Sequence, residues 1–549
     1  MTKYIPFIAL AIVYCIGAVC IDTMDIDAAQ YANIGREMAD NNNWLQVQYR
    51  TENYYLDKPP LLFWLSALAF KIFGAGNFAY RLVPILSTLL GLWAVYRFVK
   101  LYYSEQTAYI SALVMGCCQA FFLMNHDVRC DTLLTNCVMV SIWQIAEYLR
   151  FSNWKNLIFG FVALGLAMLA KGPIAVIVVG AGFFVDLVLK QEWKNIFRWQ
   201  WLVGIGVIGL VLLPYCVGLY WQYGSEGLYF FFWKQSFGRI TGESDWANSP
   251  GLLFQAQNFL WSFLPWVVVF GLAIGWKFKQ LFNQKFRLKT NQEAIALGGF
   301  VLPFVALSTA QYQLPHYTFV VFPLAAIITG EFLDFIITTQ NLKLIKSART
   351  GLVVTIFVMA LAILILCTWA FPLPLWWFLP LFGTMAYITF SLVRASAPSF
   401  NQLVLAPFFV ALCANLFLNA HVYPTLLTYQ TGSQLGKILS DETKDSKQLE
   451  NVYLYIVDNE AGAVLFADAL DFYTNRTTPT LKTPQDLKNK PNCRLYTDER
   501  GLQNLTENKI RYEVVREFDK FHVTGITLPF LNPKTRLKET NRVFLVRVN

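Results

Sequence analysis

The chain has 549 residues, of which 56% are hydrophobic and only 14% are charged. Soluble domains carry about 25% charged residues, so this composition excludes an ordinary soluble protein and predicts a chain embedded largely in lipid. The net charge of +9 is not read as nucleic-acid binding, because the basic residues lie mainly in short links between apolar runs. In such links, lysine and arginine set the orientation of a membrane protein. Nucleic acid is therefore not expected as a partner.

Apolar runs long enough to cross a bilayer as helices recur along most of the chain. They predict thirteen spans, at residues 4–21, 79–99, 106–124, 132–149, 156–170, 172–189, 201–221, 257–276, 294–310, 315–336, 350–371, 374–393 and 403–421. The apolar run 60–73 is shorter and contains Lys71, so we expect it not to span. Alternate links are basic, whereas the links 311–314 and 372–373 contain no Lys or Arg. This asymmetry predicts a cytoplasmic N-terminus and an extracytoplasmic C-terminus.

The first external loop, residues 22–78, is acidic and begins with Asp22, Asp25 and Asp27. Solvated residues at a helix exit are the ordinary explanation for the first two. Asp27 opens an amphipathic segment at 28–40 that we expect to form a helix on the membrane surface. A carboxylate held there can accept a proton from an acceptor hydroxyl or orient that hydroxyl.

The same loop ends in Tyr-Tyr-Leu-Asp-Lys-Pro-Pro, residues 54–60. The two prolines prevent a regular helix through the junction and fix the backbone next to Lys58. An ammonium group at that depth suits a lipid phosphate. Simple snorkelling of the lysine head to the interface is the alternative, and the residues alone do not choose between the two.

Further ionisable residues lie between later spans, all on the outer side of the predicted topology. If residues 126–131 (His-Asp-Val-Arg-Cys-Asp) are helical, Asp127 and Asp131 share a helix face, which fits a metal or an ion pair with Arg129. A purely structural ion pair is the alternative. The remaining candidates are Lys171, Arg239, Tyr312, His316 and Tyr317. Ionisable residues at a membrane edge indicate function by default, and gathering on one face fits a single site.

From about residue 428 the chain becomes polar and charged. Short strands are predicted at 452–457 and 542–548, with a helix between Glu460 and Leu470. We therefore divide the chain into a transmembrane domain, residues 1–427, and a C-terminal α/β domain, residues 428–549.

Five motifs occur together in one order: DAAQYANIGREM (27–38), YLDKPPL (55–61), Arg-x-Asp (129–131), LAKGP (169–173) and QLPHY (313–317). Together they resemble the bacterial aminoarabinose transferases that modify lipid A, and the wider protein O-mannosyltransferase-like superfamily. The resemblance covers most of residues 1–425. It implies an all-α membrane fold of the C-type glycosyltransferases (GT-C), with about 13 transmembrane helices and a C-terminal extracytoplasmic α/β domain.

The resemblance also implies an activity: transfer of a sugar from a polyprenyl-phosphate donor, with inversion, to lipid A, a glycan or a protein outside the inner membrane. It assigns Asp27 and Asp131 as the catalytic carboxylates. The donor-phosphate contacts that it assigns are Lys58, Arg239 and Tyr317. Further active-site candidates are Tyr31, Asp57, Arg129 and Lys171.

The resemblance leaves open whether a metal ion binds. Some relatives bind zinc through a glutamate before the lysine and a histidine before the arginine. This chain has Asp57 and Lys234 at those positions, and a lysine ammonium is a poor zinc ligand. A divalent ion at Asp27, Asp57 or Asp131 stays a hypothesis.

Two functions of other classes compete with transfer. A flippase for a lipid-linked saccharide predicts ionisable residues near the bilayer midplane and inverted repeats. Here the charged motifs lie at the outer ends of the spans, and no repeat is visible. A membrane-anchored scaffold leaves the outer acidic and basic cluster unexplained.

Overall fold

The computed structural model describes residues 2–50, 53–235, 238, 248, 250–394, 400–442, 451–457, 467–487, 490 and 492–548. Helices dominate the first 430 residues. The helices up to residue 229 are α1 (Ile5–Cys20), α2 (Asp27–Asn41), α3 (Leu61–Phe73), α4 (Asn77–Tyr102), α5 (Glu105–Cys117), α6 (Gln119–His126), α7 (Cys130–Phe151), α8 (Trp154–Lys171), α9 (Ile174–Leu189), α10 (Trp193–Ile196), α11 (Gln200–Tyr223) and α12 (Ser225–Tyr229).

The later helices are α13 (Phe254–Ser262), α14 (Val267–Asn283), α15 (Ile295–Ser308), α16 (Phe322–Thr339), α17 (Leu342–Ile365), α18 (Leu375–Arg394), α19 (Ala406–Phe417), α20 (Tyr423–Leu426), α21 (Gly432–Glu442), α22 (Asp468–Thr474), α23 (Glu499–Glu507) and α24 (Leu528–Leu531). Three of them (α17, α19 and α20) adjoin short π-helical segments, and a fourth such segment follows α12. The π-helical segments are Phe230–Lys234, Leu366–Ala370, Asn401–Leu405 and Leu418–Val422. Short 3₁₀ helices are Thr2–Tyr4, Pro315–Val321, Leu427–Gln430, Pro484–Leu487 and Arg536–Lys538.

The chain is a multi-pass membrane protein. Within the described residues, seven helices are long and apolar enough to cross a bilayer, or up to nine if each of two bent helix pairs counts as one span. The bent pairs are α5–α6 and α13–α14, and four further apolar helices, such as α1 and α9, are shorter. Every stretch that the sequence predicts to span contains helix, but the number thirteen stays a prediction.

The helix predicted at 28–40 is confirmed as α2, while its position on the membrane surface stays a prediction; the apolar run 60–73 forms the 13-residue helix α3. The two helices pack closely: a Cβ atom added at Gly35 would lie 3.0 Å from Cβ of Ser66. The ring centroids of Tyr31 and Phe63 are 5.7 Å apart in an edge-on contact. Helix α3 therefore supports the face of α2 that carries Tyr31.

The C-terminal region contains a five-stranded mixed sheet of order β4-β3-β5-β7-β6. Its strands are β3 (Val452–Tyr455), β4 (Thr480–Leu481), β5 (Arg494–Asp498), β6 (Tyr512–Lys520) and β7 (Asn541–Val548); a separate hairpin in the first loop pairs β1 (Gln48–Tyr49) with β2 (Asn53–Tyr54). The strands predicted at 452–457 and 542–548 are confirmed as β3 and β7. Residues 460–466 of the predicted helix lie outside the described residues, and α22 begins at Asp468. The division of the chain at residue 428 stays a prediction.

Side chains of α2 form hydrogen bonds with the backbone of helix α22 in the C-terminal region. Asn33 donates to the backbone carbonyl of Asp468 (2.7 Å), and Arg36 donates to that of Asp471 (2.5 Å). The Asp471 carboxylate also accepts a hydrogen bond from Arg50 at 3.0 Å. All of these groups except the Arg50 side chain are buried. A lost partner here would leave a buried polar group unsatisfied, so the C-terminal region and α2 hold each other in place.

This interface should weaken as the pH rises. Burial raises the pKa of Asp468 to about 6. The hydrogen bond from Tyr49 and the charge of Arg50 lower this pKa, whereas the charges of Asp471 and Glu37 raise it. A carboxyl group with a raised pKa favours folding while it is protonated, and this contribution is lost between pH ~4 and pH ~6, at a cost of roughly 3 kcal/mol. We expect hydrogen exchange in α22, corrected for the intrinsic rate, to be faster at pH 7 than at pH 5.

Asp468→Asn should reduce this pH dependence, because an amide does not titrate. It should not remove it, since burial also raises the pKa of Asp25 to about 7 and raises the pKa of Asp471. Exchange in α22 that is independent of pH in the unmodified protein would contradict the expectation.

Candidate active site

The candidate site is built around Asp127–Asp131, the segment between α6 and α7. Helix α6 ends at His126 and α7 begins at Cys130, so Asp127 and Asp131 do not share one helix. The prediction that both lie on one helix face is therefore wrong. The helix is interrupted at this point, and the extended backbone of Arg129 (φ −128°, ψ 157°) lets successive side chains reach different neighbours.

Arg129 links this segment to the first external loop. Its guanidinium donates to the carboxylate of Asp27 and, at 2.7 Å, to the carboxylate of Asp127. Asp27 is the first residue of α2, where the helix dipole stabilises a negative charge. About a third of its side chain is exposed, and an ion pair that is still partly open to solvent can be approached by a substrate.

The backbone immediately before Asp27 is unusual. Ile26 has φ 71° and ψ −113°, a region that a β-branched residue adopts only when its surroundings impose it. Its carbonyl accepts from the amide of Gln30 at 2.9 Å, and the hydroxyl of Tyr80 donates to the carbonyl of Ala28 at 2.8 Å. Such outliers are concentrated at functional sites, and this one fixes where α2 presents Asp27.

Asp131 has a different partner. In the first turn of α7 its carboxylate accepts a hydrogen bond from Lys171, the last residue of α8, and lies 3.8 Å from Nε2 of His316. The Lys171 ammonium also lies 4.3 Å from the centroid of the Tyr317 ring. Three motifs that are distant in sequence, at 129–131, 169–173 and 313–317, therefore meet at one place. The ion pair of Asp131 is with Lys171, not with Arg129.

The Asp131–Lys171 pair is buried: the exposed fractions of its side chains are 4% and 14%. Removing one partner of such a pair leaves a buried charge unpaired and costs about 3–5 kcal/mol. We therefore expect Lys171→Met to lower the thermal unfolding temperature, and Asp131→Asn combined with Lys171→Met to recover part of the loss. Thermal unfolding followed by tryptophan fluorescence checks this, and an unchanged Lys171→Met midpoint would contradict it.

Lys58 approaches the same segment from the first loop. It is close enough to Cys130 to act on that side chain electrostatically. Its side chain is half-buried, and within the described residues it has no carboxylate partner. Pro59 and Pro60 behind it are buried and lead directly into α3. A partly desolvated ammonium group without a counter-ion suits an anionic ligand.

The loop that carries Lys58 is fixed on both sides. Gln235 donates to the backbone carbonyl of Asp57. The ring centroids of Tyr55 and Phe63 are 5.9 Å apart, and Phe63 also packs edge-on against Tyr31. Burial raises the pKa of both tyrosines well above the usual value, so both hydroxyl groups remain neutral. Tyr31 also lies near Asp27 and Arg129, which joins the two halves of the site.

Most of the predicted site residues are thus brought together: Asp27, Tyr31, Asp57, Lys58, Arg129, Asp131, Lys171 and Tyr317. Arg239 lies outside the described residues. Within the described residues no group of three or more His, Cys, Asp or Glu side chains is placed to hold a metal ion. Lys234 ends the π-helical segment Phe230–Lys234.

Sequence reasoning missed Tyr55 and Arg81. Arg81 is fully buried near the start of α4 and donates to the backbone carbonyls of Ile21, Asp22 and His126, at 2.6, 2.6 and 3.0 Å. It ties the end of α1 to the end of α6, so it supports both halves of the site. An arginine inside an apolar run was the available signal, because a charge there requires a specific partner.

Comparison with known proteins agrees with the motifs. Residues 57–221 match the family model described as dolichyl-phosphate-mannose-protein mannosyltransferase. The undecaprenyl phosphate-alpha-4-amino-4-deoxy-L-arabinose arabinosyl transferase of Enterobacter sp. (strain 638) is 25% identical over 62% of this chain and 60% of its own length. The corresponding protein of Edwardsiella ictaluri is 25% identical over 62% and 61%. The matched region thus spans about three fifths of these relatives.

Among solved structures, ArnT from Cupriavidus metallidurans bound to undecaprenyl phosphate superposes with a TM-score of 0.75 and 18% identity, over 98% of this chain and 97% of that chain. Its apo state gives a TM-score of 0.73. The predicted fold class, a GT-C membrane fold followed by a region with a sheet, is confirmed. The resemblance inferred from the five motifs is confirmed as well.

Proposed function

We propose that this protein is a glycosyltransferase that takes its sugar from a polyprenyl-phosphate donor. The observation that carries the proposal is the convergence of Asp27, Lys58 and Lys171 on the segment Asp127–Asp131. Three carboxylates (Asp27, Asp127 and Asp131) and three cations (Lys58, Arg129 and Lys171) lie there, at the ends of helices of the bundle. A sugar carried on a lipid phosphate needs this combination: cations for the phosphate, a carboxylate for the acceptor, and access from the bilayer.

The proposed reaction is a single displacement. An acceptor oxygen attacks the anomeric carbon, the bond from that carbon to the phosphate oxygen breaks, and polyprenyl phosphate leaves with both electrons of that bond. Lys58 stabilises the charge that develops on the leaving phosphate, together with Arg239 and Tyr317. Attack opposite to the leaving group inverts the configuration.

Asp27 handles the acceptor in this scheme. If the acceptor is a hydroxyl group, Asp27 takes its proton as the new bond forms. If the acceptor is a phosphate, as on lipid A, there is no proton to remove and Asp27 orients the acceptor. Arg129 holds Asp27 in either case, since its guanidinium already bridges Asp27 and Asp127.

We further propose that the sugar is 4-amino-4-deoxy-L-arabinose or a hexose, and that the acceptor is lipid A, a glycan or a protein. The names of the relatives support the aminoarabinose assignment. The site would face the periplasm from the bacterial inner membrane, which agrees with the basic links on the other side of the predicted topology.

Two experiments test this function. Deletion of the gene, followed by mass spectrometry of lipid A, glycans and secreted proteins, should reveal one missing sugar. The purified full-length protein, supplied with synthetic polyprenyl-phosphate sugars and the acceptor so identified, should release polyprenyl phosphate and glycosylated acceptor in equal amounts. Carrier-linked sugar that crosses a vesicle membrane without being consumed would instead identify a flippase.

A further inference from the structure

Between β6 and β7 the chain exposes an apolar surface that the proposed transfer reaction does not use. We call residues 522–540 the β6–β7 segment. Ile526, Leu528 and Leu537 on this segment are exposed to 47%, 77% and 65%. Several large exposed apolar side chains within one short segment indicate an interaction surface.

Contacts made by Phe530 and Arg536 fix the conformation of the segment, so its exposed apolar side chains have defined positions. Phe530 is buried and stacks on Phe521, with ring centroids 3.6 Å apart. Its ring also meets that of Tyr429 edge-on at 5.2 Å. Arg536 donates to the carbonyl of Phe530 at 3.0 Å and so closes the loop on itself.

The same arginine attaches the segment to the end of a candidate membrane span. Arg536 donates to the carbonyl of Ala370 at 2.5 Å, and its guanidinium lies 4.6 Å from the centroid of the Phe371 ring. Ala370 is the last residue of the candidate span Leu342–Ala370, and the next one begins at Leu375. The β6–β7 segment therefore contacts the turn that joins two candidate membrane spans.

Exposed tryptophans indicate where this turn lies relative to the bilayer. Trp369, Trp376 and Trp377 lie on both sides of the turn between the two candidate spans, and all three are exposed. Tryptophan is enriched where a membrane protein passes through the lipid headgroups. The residues that surround the contact of Arg536 thus have the composition of the membrane interface.

The charges on the segment fit the same surroundings. Lys534 and Lys538 are exposed and flank the apolar Leu537. A lysine at the interface keeps its ammonium group among lipid phosphates while its alkyl chain covers apolar surface. An apolar tip between two lysines is the arrangement of a segment that rests in a bilayer surface.

We propose that the β6–β7 segment inserts Ile526, Leu528 and Leu537 into the lipid leaflet next to the C-terminal region, with Lys534 and Lys538 at the headgroup phosphates. The C-terminal region then contacts the bilayer through this segment and contacts the helical region through α2.

The test uses the full-length protein in nanodiscs of phosphatidylethanolamine and phosphatidylglycerol whose acyl chains carry bromine near the headgroup. A fluorescent amino acid is incorporated genetically at position 528 or 537, because 17 tryptophans and 10 cysteines rule out simpler labels. Val515 on β6 is the matched control, since it is also an apolar side chain and is 45% exposed. Val515 lies five residues, roughly 17 Å of extended strand, before Lys520. The next residue, Phe521, donates its amide hydrogen to the carbonyl of Tyr429, so Val515 is remote from that contact.

Quenching by brominated lipid should be at least about twofold greater at positions 528 and 537 than at 515, because interfacial side chains sit ~5–10 Å into the headgroup boundary. Lys534→Glu with Lys538→Glu should reduce quenching at 528. Equal quenching at 515 and 528 would overturn the proposal, and so would no quenching at 528. These results do not depend on sugar transfer, so they stand apart from the fate of the proposed function.

Discussion

Lys58→Ala should lower sugar transfer about 10²–10³-fold, as removal of one preorganised charge or donor does in other enzymes. The ammonium group is half-buried, close to Cys130 and without a carboxylate partner in the described part of the chain. Within the described residues it forms no ion pair, so it can bind a phosphate there without breaking one. The measurement is kcat/KM for the polyprenyl-phosphate donor with purified, reconstituted protein.

Two further variants separate a phosphate contact from a general effect of charge. Lys58→Arg keeps the positive charge and should retain more activity than Lys58→Ala. Lys71→Ala is the control, because Lys71 is an exposed lysine near the end of α3 whose hydrogen bond is to Asn42. Near-normal transfer by Lys58→Ala, at normal protein levels, would refute a role at the donor phosphate.

Asp27→Asn should reduce transfer to a hydroxyl acceptor about 10²–10⁴-fold, the usual contribution of a general base. The amide has almost the same size but cannot take a proton, and it cannot neutralise the Arg129 guanidinium that contacts it. With a phosphate acceptor the loss should be smaller, because only orientation is affected. The pH dependence of kcat with each class of acceptor distinguishes the two roles.

Asp40→Asn is the matched control on the same helix. Asp40 lies at the other end of α2, exposed to solvent, and should tolerate the change. A loss of transfer by Asp40→Asn as large as that of Asp27→Asn would show that the effect comes from destabilising α2 and not from the carboxylate at its first residue.

Much of the fold follows from local pattern. Apolar runs predicted where the helices lie, because a backbone in lipid must satisfy its own hydrogen bonds and the helix is the local way to do so. The amphipathic pattern of residues 28–40 predicted α2, and alternating residues predicted β3 and β7. Each of these elements is encoded within a few turns of chain.

Contacts between distant residues were harder to predict. The sequence gives no sign that Asp131 pairs with Lys171 rather than with Arg129, since that choice depends on how α7 and α8 pack. Nor does it indicate that the helix is interrupted at Asp127, because Asp-Val-Arg contains no proline or glycine. The bond of Asn33 to Asp468 joins residues 435 positions apart, a distance over which local pattern carries no information.

We expect the phosphate of the lipid-linked donor to bind at Lys58, beside the segment Asp127–Asp131. Photo-crosslinking locates this binding site. A polyprenyl phosphate with a diazirine next to the phosphate is bound to the full-length protein in nanodiscs, and the crosslinked peptides are identified. Crosslinks concentrated around residues 54–73 and 312–322, and lost in Lys58→Ala, are the predicted result. Crosslinks spread evenly over the lipid-facing helices and unchanged by that substitution would contradict phosphate binding at Lys58.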